Sequence, residues 1–157
     1  MKLDFLARKT GKALKKKRQF LVTAESCTGG WVAQAVTSIA GSSEWFERGY
    51  VTYSDAAKRE ALGVAKTTLL KYGAVSEPTA RAMARGALRN SRASIALAIT
   101  GIAGPGGAAP GKPVGMVCFA WAQGRKIRSG TKRFKGGRGR VRRQSVIHAL
   151  RGMLKWL

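Results

Sequence analysis

The sequence predicts an α/β fold in which a mixed β-sheet is covered by helices on both faces. Three observations predict it. Short apolar runs alternate with segments of helical periodicity along most of the 157 residues. Two of those runs, Phe20–Ala24 and Ser94–Thr100, read as buried strands. A hairpin pattern near the C-terminal end adds antiparallel strands to a sheet that βαβ connections make mostly parallel.

Leu3–Lys17 spaces Leu3, Leu6 and Leu14 among basic residues as an amphipathic helix does, and the run Lys15-Lys16-Lys17-Arg18 ends it. Strand Phe20–Ala24 follows, then a polar turn Glu25–Gly30, and helical spacing resumes over Trp31–Ile39. Arg48–Tyr53 reads as a second strand. Ser54 is suited to cap a helix over Asp55–Leu62, which Gly63 closes. Thr67–Tyr72 forms a short helix. Ser76-Glu77-Pro78 starts the next one, with proline just inside it, and Thr79–Asn90 continues it. After strand Ser94–Thr100 comes the glycine-rich stretch Gly101–Gly107. Val114–Ala122 and Lys126–Phe134 pair through Gln123-Gly124, and Arg138–Leu157 is the closing helix. No repeat and no linker divides the chain, so residues 1–157 are expected to form one domain, of a size that buries roughly 70% of its unfolded surface.

Composition prunes the chemistry. Thirty Lys and Arg face seven Asp and Glu, a net charge of +23, and nothing acidic follows Glu77. Such a field attracts polyanions and phosphate esters but says nothing about fold. No apolar run approaches the roughly 20 residues of a membrane span, and Met1–Arg18 lacks the apolar stretch of a signal peptide. Cys27 and Cys118 are too few and too isolated for a disulfide framework, so the cytoplasm is the expected location. His148 is the sole histidine and sits in a helical pattern, where a helix-face role is favoured. No Cys/His/carboxylate cluster has metal-ligand spacing, and the pairs Glu44/Glu47 and Asp55/Glu60 read as helix-surface charges. Neither a metal nor a cofactor is expected, and an enzyme of this composition takes a lysine as its base.

Three motif matches fail on context. Gly106–Lys112 has P-loop spacing, but Pro113 replaces the magnesium-binding hydroxyl and a strand follows. Gly104–Ala109 imitates a dinucleotide fingerprint without a helix or a downstream acid. Ser129–Lys132 has Ser-x-x-Lys spacing inside a β-segment rather than at a helix start. Ala24-Glu25-Ser26-Cys27-Thr28-Gly29-Gly30 carries more. A strand ending in a tight turn that opens a helix puts Ser26 at the carboxyl edge of the sheet, beside free N–H groups and two glycines that admit a ligand. The same residues also read as a plain Ser/Thr helix cap, which on physical grounds alone stands slightly ahead.

Four blocks in order resemble the CinA C-terminal family, including its stand-alone nicotinamide-nucleotide amidases: Ala24–Gly30; Gly49–Ser54 with Lys58; Gly73–Glu77; and Thr100–Gly107 followed by Lys112–Gly115. The resemblance runs from about Leu3 to the C-terminus and lacks the molybdopterin-binding-like domain of longer members. It implies a three-layer α/β/α fold and hydrolysis of the carboxamide of nicotinamide mononucleotide. It places the family's proposed nucleophile on Ser26 and its base on Lys58. That lysine must be neutral to act, which burial and nearby positive charge both favour. Tyr53 is expected to border the pocket and to hydrogen-bond Ser26 or Lys58, with core packing as its alternative. Thr28, Gly29, Gly30, Thr100, Gly101 and Gly104 are the expected substrate contacts, with the phosphate near Gly29, Gly30 or the Gly101–Gly107 loop. Cys27 is the rival nucleophile and stands well behind Ser26.

The sequence departs from the family at Gly136-Gly137-Arg138, where an aspartate commonly stands in place of Gly137. Its loss puts the roles of Arg138 and Arg142 in doubt and raises the alternative of a catalytically weakened protein. A homo-oligomer and a small-molecule substrate are the expected partners, with no membrane. The basic stripe Arg125–Arg143 leaves nucleic acid as a further partner class, which a solvated basic surface outweighs.

Overall fold

The structure, a computed structural model, describes residues 2–157; Met1, the first residue of the expected domain, lies outside them. The elements run α1 (Leu3–Lys16), β1 (Leu21–Glu25), α2 (Trp31–Thr37), a 3-10 turn (Ser42–Glu44), β2 (Phe46–Val51), α3 (Asp55–Leu62), α4 (Lys66–Tyr72), α5 (Glu77–Arg89), β3 (Ile95–Gly101), β4 (Met116–Gln123), β5 (Lys126–Arg133) and α6 (Arg138–Trp156).

The sheet order is β2-β1-β3-β4-β5. β1 pairs in parallel with β2 and β3, while β4 runs antiparallel to β3 and to β5. Four strands therefore point one way and β4 alone runs against them. β1 and the first six residues of β3 are buried, as strands covered on both faces must be. β5 and β2 are the half-exposed edges.

The alternation along the strands separates two cores. Leu21, Ile95, Leu97, Ile99, Val117, Phe119 and Trp121 face α1, α2 and α6. Val22, Ala24, Ala96, Ala98, Cys118, Ala120 and Ala122 face α3, α4 and α5. The result is a three-layer α/β/α sandwich. The second core is built largely of alanine, which brings α5 close to the sheet. α5 also approaches α3 so closely that a Cβ on Gly86 would collide with the Leu62 carbonyl oxygen.

The local signals act as the sequence implies. The Ser54 Oγ accepts from the Ala57 N–H at 3.0 Å to start α3, and Gly63 ends it in the left-handed region at φ 65°. Ser76 caps α5, with Pro78 in its first turn. β2 lies two residues earlier than expected, because Phe46 packs on the core while Thr52 and Tyr53 leave the sheet. Glu47 consequently lies on a strand, bonded to Arg48, and not on a helix surface.

Candidate active site

β2, β1 and β3 end at one edge of the sheet, and their register brings three hydroxyl residues together. Glu25 lies opposite Val51 on one side and Ile99 on the other, so Ser26, Thr52 and Thr100 fall on the next rung. Two hydrogen bonds extend the ladder to them: Ser26 N–H donates to the Ile99 carbonyl (3.0 Å) and Thr52 N–H to the Glu25 carbonyl (2.9 Å). From β1 the chain crosses to β2 on one side, then to β3 on the other. Ligand clefts form outside the carboxyl ends of strands at such a switch point.

A cleft of about 280 Å³ opens there, with Ser26, Tyr53, Lys58, Thr100, the Gly101–Gly107 loop and Arg138 in its walls. Lys58 reaches it from the first turns of α3 and is 1% exposed. Its Nζ lies 3.0 Å from Ser26 Oγ, 3.0 Å from the Thr52 carbonyl oxygen and 3.5 Å from that of Tyr53. No carboxylate pairs with it among the described residues. Burial pushes its pKa below the ordinary lysine value, opposed by the weaker pull of Asp55 and the Cys27 thiol. The lowering therefore comes from desolvation, and the expected contribution of nearby positive charge is not among its causes.

Glu25 organises the turn beyond Ser26, a role the sequence reading missed. Its carboxylate is fully buried and accepts from the Thr28 hydroxyl (2.7 Å) and from the Val32 (2.8 Å) and Ala33 (3.1 Å) N–H groups. It supplies α2 with the cap that Gly30 lacks. Burial raises its pKa, and those hydrogen bonds oppose the rise. The signal was an acid closing a short strand whose only other polar residue is Thr23.

Thr100, Gly101 and Gly104 line the cleft, and the Thr100 hydroxyl donates to the Ala74 carbonyl (2.8 Å). Tyr53 borders the cleft at 61% exposure. Its hydroxyl accepts from Arg138 (3.0 Å) instead of bonding Ser26 or Lys58, and only its carbonyl faces the lysine. Thr28, Gly29 and Gly30 lie on the turn behind the cleft lining, with the Thr28 hydroxyl committed to Glu25. Burial pushes the Cys27 thiol up to about 12, which disfavours its thiolate form.

Arg138 and Arg142 are both held without an aspartate. Arg138 donates to the Gly104 carbonyl (2.8 Å) as well as to Tyr53, bridging two walls of the cleft. Arg142 donates to the Cys27 (3.0 Å) and Thr28 (3.2 Å) carbonyls and lies over the Trp31 ring. His148 is remote from the cleft, packed against Phe119, Trp121 and Phe134. Among the described residues no group of three or more His, Cys, Asp or Glu could hold a metal ion.

The family model described as the CinA C-terminal domain matches residues 3–157. The nicotinamide-nucleotide amidohydrolase PncC of Escherichia coli K12 is 53% identical over 147 residues, covering 92% of this chain and 88% of that protein. The enzyme of the same name from Pseudomonas putida is 49% identical over 150 residues, covering 96% and 94%. The crystal structure of the competence/damage inducible protein CihA from Agrobacterium tumefaciens superposes with a TM-score of 0.94 at 45% identity, over 98% of this chain and 94% of that one.

Proposed function

The chain belongs to the CinA C-terminal domain family, and from that membership and the cleft we propose how it works as an amidohydrolase. It hydrolyses the carboxamide of nicotinamide mononucleotide, giving nicotinate mononucleotide and ammonia, and so recycles pyridine nucleotide. The observation that carries the mechanism is the 3.0 Å contact between Lys58 Nζ and Ser26 Oγ at a buried position.

A neutral amine has two N–H donors and one lone pair. The carbonyls of Thr52 and Tyr53 take the donors, which leaves the lone pair facing the Ser26 hydroxyl. Ser26 Oγ attacks the carboxamide carbon as Lys58 takes its proton, and a tetrahedral intermediate forms. The C–N bond then breaks, Lys58 returns the proton to the departing nitrogen, and ammonia leaves an ester on Ser26. Water, deprotonated by Lys58, attacks that ester. Ser26 recovers its proton from the lysine, and the acid is released. General base catalysis of this kind contributes about 10²–10⁴-fold. The N–H of Cys27, which lines the cleft and has no backbone carbonyl partner among the described residues, can face the developing oxyanion.

Thr100, Gly101 and Gly104 hold the substrate in this reading, with its phosphate at the Gly101–Gly107 loop and the Arg138 guanidinium. Tyr53 acts as a positioning residue that anchors Arg138. Thr28, Gly29 and Gly30 shape the nucleophile's turn. Because Arg138 keeps its place through neutral partners, the glycine at position 137 leaves the site intact. The chain works as one domain in the cytoplasm, where free Cys27 and Cys118 stay reduced; no described helix is long and apolar enough to cross a membrane. A homo-oligomer is supported by the open edge of β2, where Val51 and the adjoining Tyr53 are exposed.

The test is ammonia release by the purified protein from nicotinamide mononucleotide, with nicotinamide riboside and glutamine as comparison substrates. Turnover of the mononucleotide well above both is expected. Equal turnover of the riboside would remove the phosphate contact, and turnover of glutamine alone would reject the substrate.

A further inference from the structure

We propose that the groove between β5 and α6 binds the phosphate backbone of a double-helical nucleic acid. This surface is separate from the cleft, and its binding does not depend on the amidase reading.

Register and helical spacing put cations on both banks of the groove. Lys126, Arg128, Gly130 and Lys132 stand opposite Gln123, Trp121, Phe119 and Val117, so they share the α6 side of the sheet. On α6, His148, Arg151 and Lys155 recur at helical spacing along one face. Between the two elements lies a cleft of about 420 Å³ with Arg128, Lys132, Arg151 and Lys155 in its walls. No acid offsets them. No Asp or Glu follows Glu77 in the sequence, and Glu77 itself bonds Ser129 and Thr131 on the opposite face of β5.

One of the four cations is fixed and three are free. Arg128 donates to the Gly152 carbonyl (3.0 Å) and lies over the Trp121 and Trp156 rings at 4.9 and 5.6 Å. Lys132, Arg151 and Lys155, with Lys126 at the strand's start, are exposed and make no hydrogen bond or ion pair among the described residues. Further exposed basic residues flank the two elements, Arg125 before β5 and Lys135 after it, with Arg140 and Arg143 in the first turns of α6.

The surroundings select the partner. A single strand binds by stacking its bases on exposed aromatic rings. Here Trp121 is 3% exposed, and Arg128 lies over both the Trp121 and Trp156 rings, so a backbone whose bases are already paired suits the groove better than one that must stack its bases there. An anionic membrane would call for apolar side chains beside the cations. The exposed large hydrophobics Phe5, Phe20, Val51, Tyr53, Leu70 and Tyr72 all lie outside β5 and α6.

The experiment titrates the full chain against a short mixed-sequence DNA duplex by fluorescence anisotropy over a range of salt. It compares the protein with a groove variant, Lys126→Gln/Lys132→Gln/Arg151→Gln/Lys155→Gln. A control, Lys9→Gln/Lys12→Gln/Lys16→Gln/Lys17→Gln, removes equal charge from exposed positions in and just after α1. Circular dichroism establishes that both variants are folded. The groove variant is expected to lose at least about tenfold in affinity, and its log–log salt slope to flatten by about 3–4, while the control keeps the original slope. Equal losses in the two variants would overturn the proposal. So would absence of duplex binding at low salt, tighter binding of the corresponding single strand, or a groove effect seen only with vesicles of anionic phospholipid.

Discussion

Lys58 Nζ lies 3.0 Å from both Ser26 Oγ and the Thr52 carbonyl oxygen, so one buried amine ties α3 to the ends of two adjacent strands. The ladder fixes its partners: Ser26 hangs from the Ile99 carbonyl, and Thr52 from that of Glu25. The pair is thus set by strand register and does not depend on a flexible loop.

The pH dependence of turnover follows from the desolvation of Lys58. In the proposed mechanism the active form is the neutral amine, which appears as pH rises through a folded-state pKa lying below the ordinary lysine value of 10.5. A plot of kcat/KM against pH should therefore rise along an acid limb centred below that value and then level off. Lys58→Arg, which stays charged, should lose the limb along with the activity.

Glu25 should matter to stability and turnover together. Glu25→Gln turns an acceptor-only group into one that presents an amide donor to the Val32 or Ala33 N–H. The expected cost is about 1–3 kcal/mol of stability, measured by urea unfolding. Because the turn carries Ser26, kcat should fall more than KM rises; a purely structural role would leave both unchanged in the folded fraction.

Gly137 is the N-cap residue of α6 and offers no side-chain acceptor, and the first turn beyond it is basic. Its φ of −71° suits any residue, and a Cβ there would meet nothing within 4 Å. Gly137→Asp should cap the helix and complement its dipole, gaining about 0.5–1 kcal/mol in thermal unfolding. Turnover should change little, since Arg138 is already held by Gly104 and Tyr53.

His148 gives stability a dependence on pH. Burial, aided by Lys132, Lys155, Arg151 and Arg128, pushes the imidazole from its ordinary 6.5 down to about 4. Between those values the unfolded chain binds the extra proton and the folded one does not, so stability falls as pH drops through that window. The loss is on the order of 1–2 kcal/mol after allowance for solvent screening. His148→Gln should remove that part of the difference between urea midpoints at about pH 7 and about pH 4.5.

Much of the frame was legible in the sequence because it is written locally. Ser54 and Gly63 bracket α3, Ser76 and Pro78 open α5, and Gly124 turns the hairpin. The Ser26 corner was visible as a strand-to-helix turn, though residue types alone left it slightly behind an ordinary cap. What escaped depends on contacts distant in sequence. Arg138 meets Tyr53 across 85 positions, and no local pattern announces that bond. Tyr53 was expected on β2 and within reach of the dyad. Instead the strand ends at Val51, and the chain turns Tyr53's carbonyl, not its hydroxyl, toward the lysine. Of the two causes expected for a lowered Lys58 pKa, burial is the one that acts, and nearby positive charge is not among the causes, because the lowering depends on what folds over the lysine and not on charge composition.

Single-site variants at the Ser26–Lys58 contact test the mechanism most directly. Ammonia release from nicotinamide mononucleotide should be measured for Ser26→Ala and Lys58→Met beside the unaltered protein, with circular dichroism establishing that each variant is folded. Each substitution is expected to lower kcat by about three orders of magnitude or more. Turnover near the original rate in either folded variant would contradict a serine nucleophile activated by a neutral lysine.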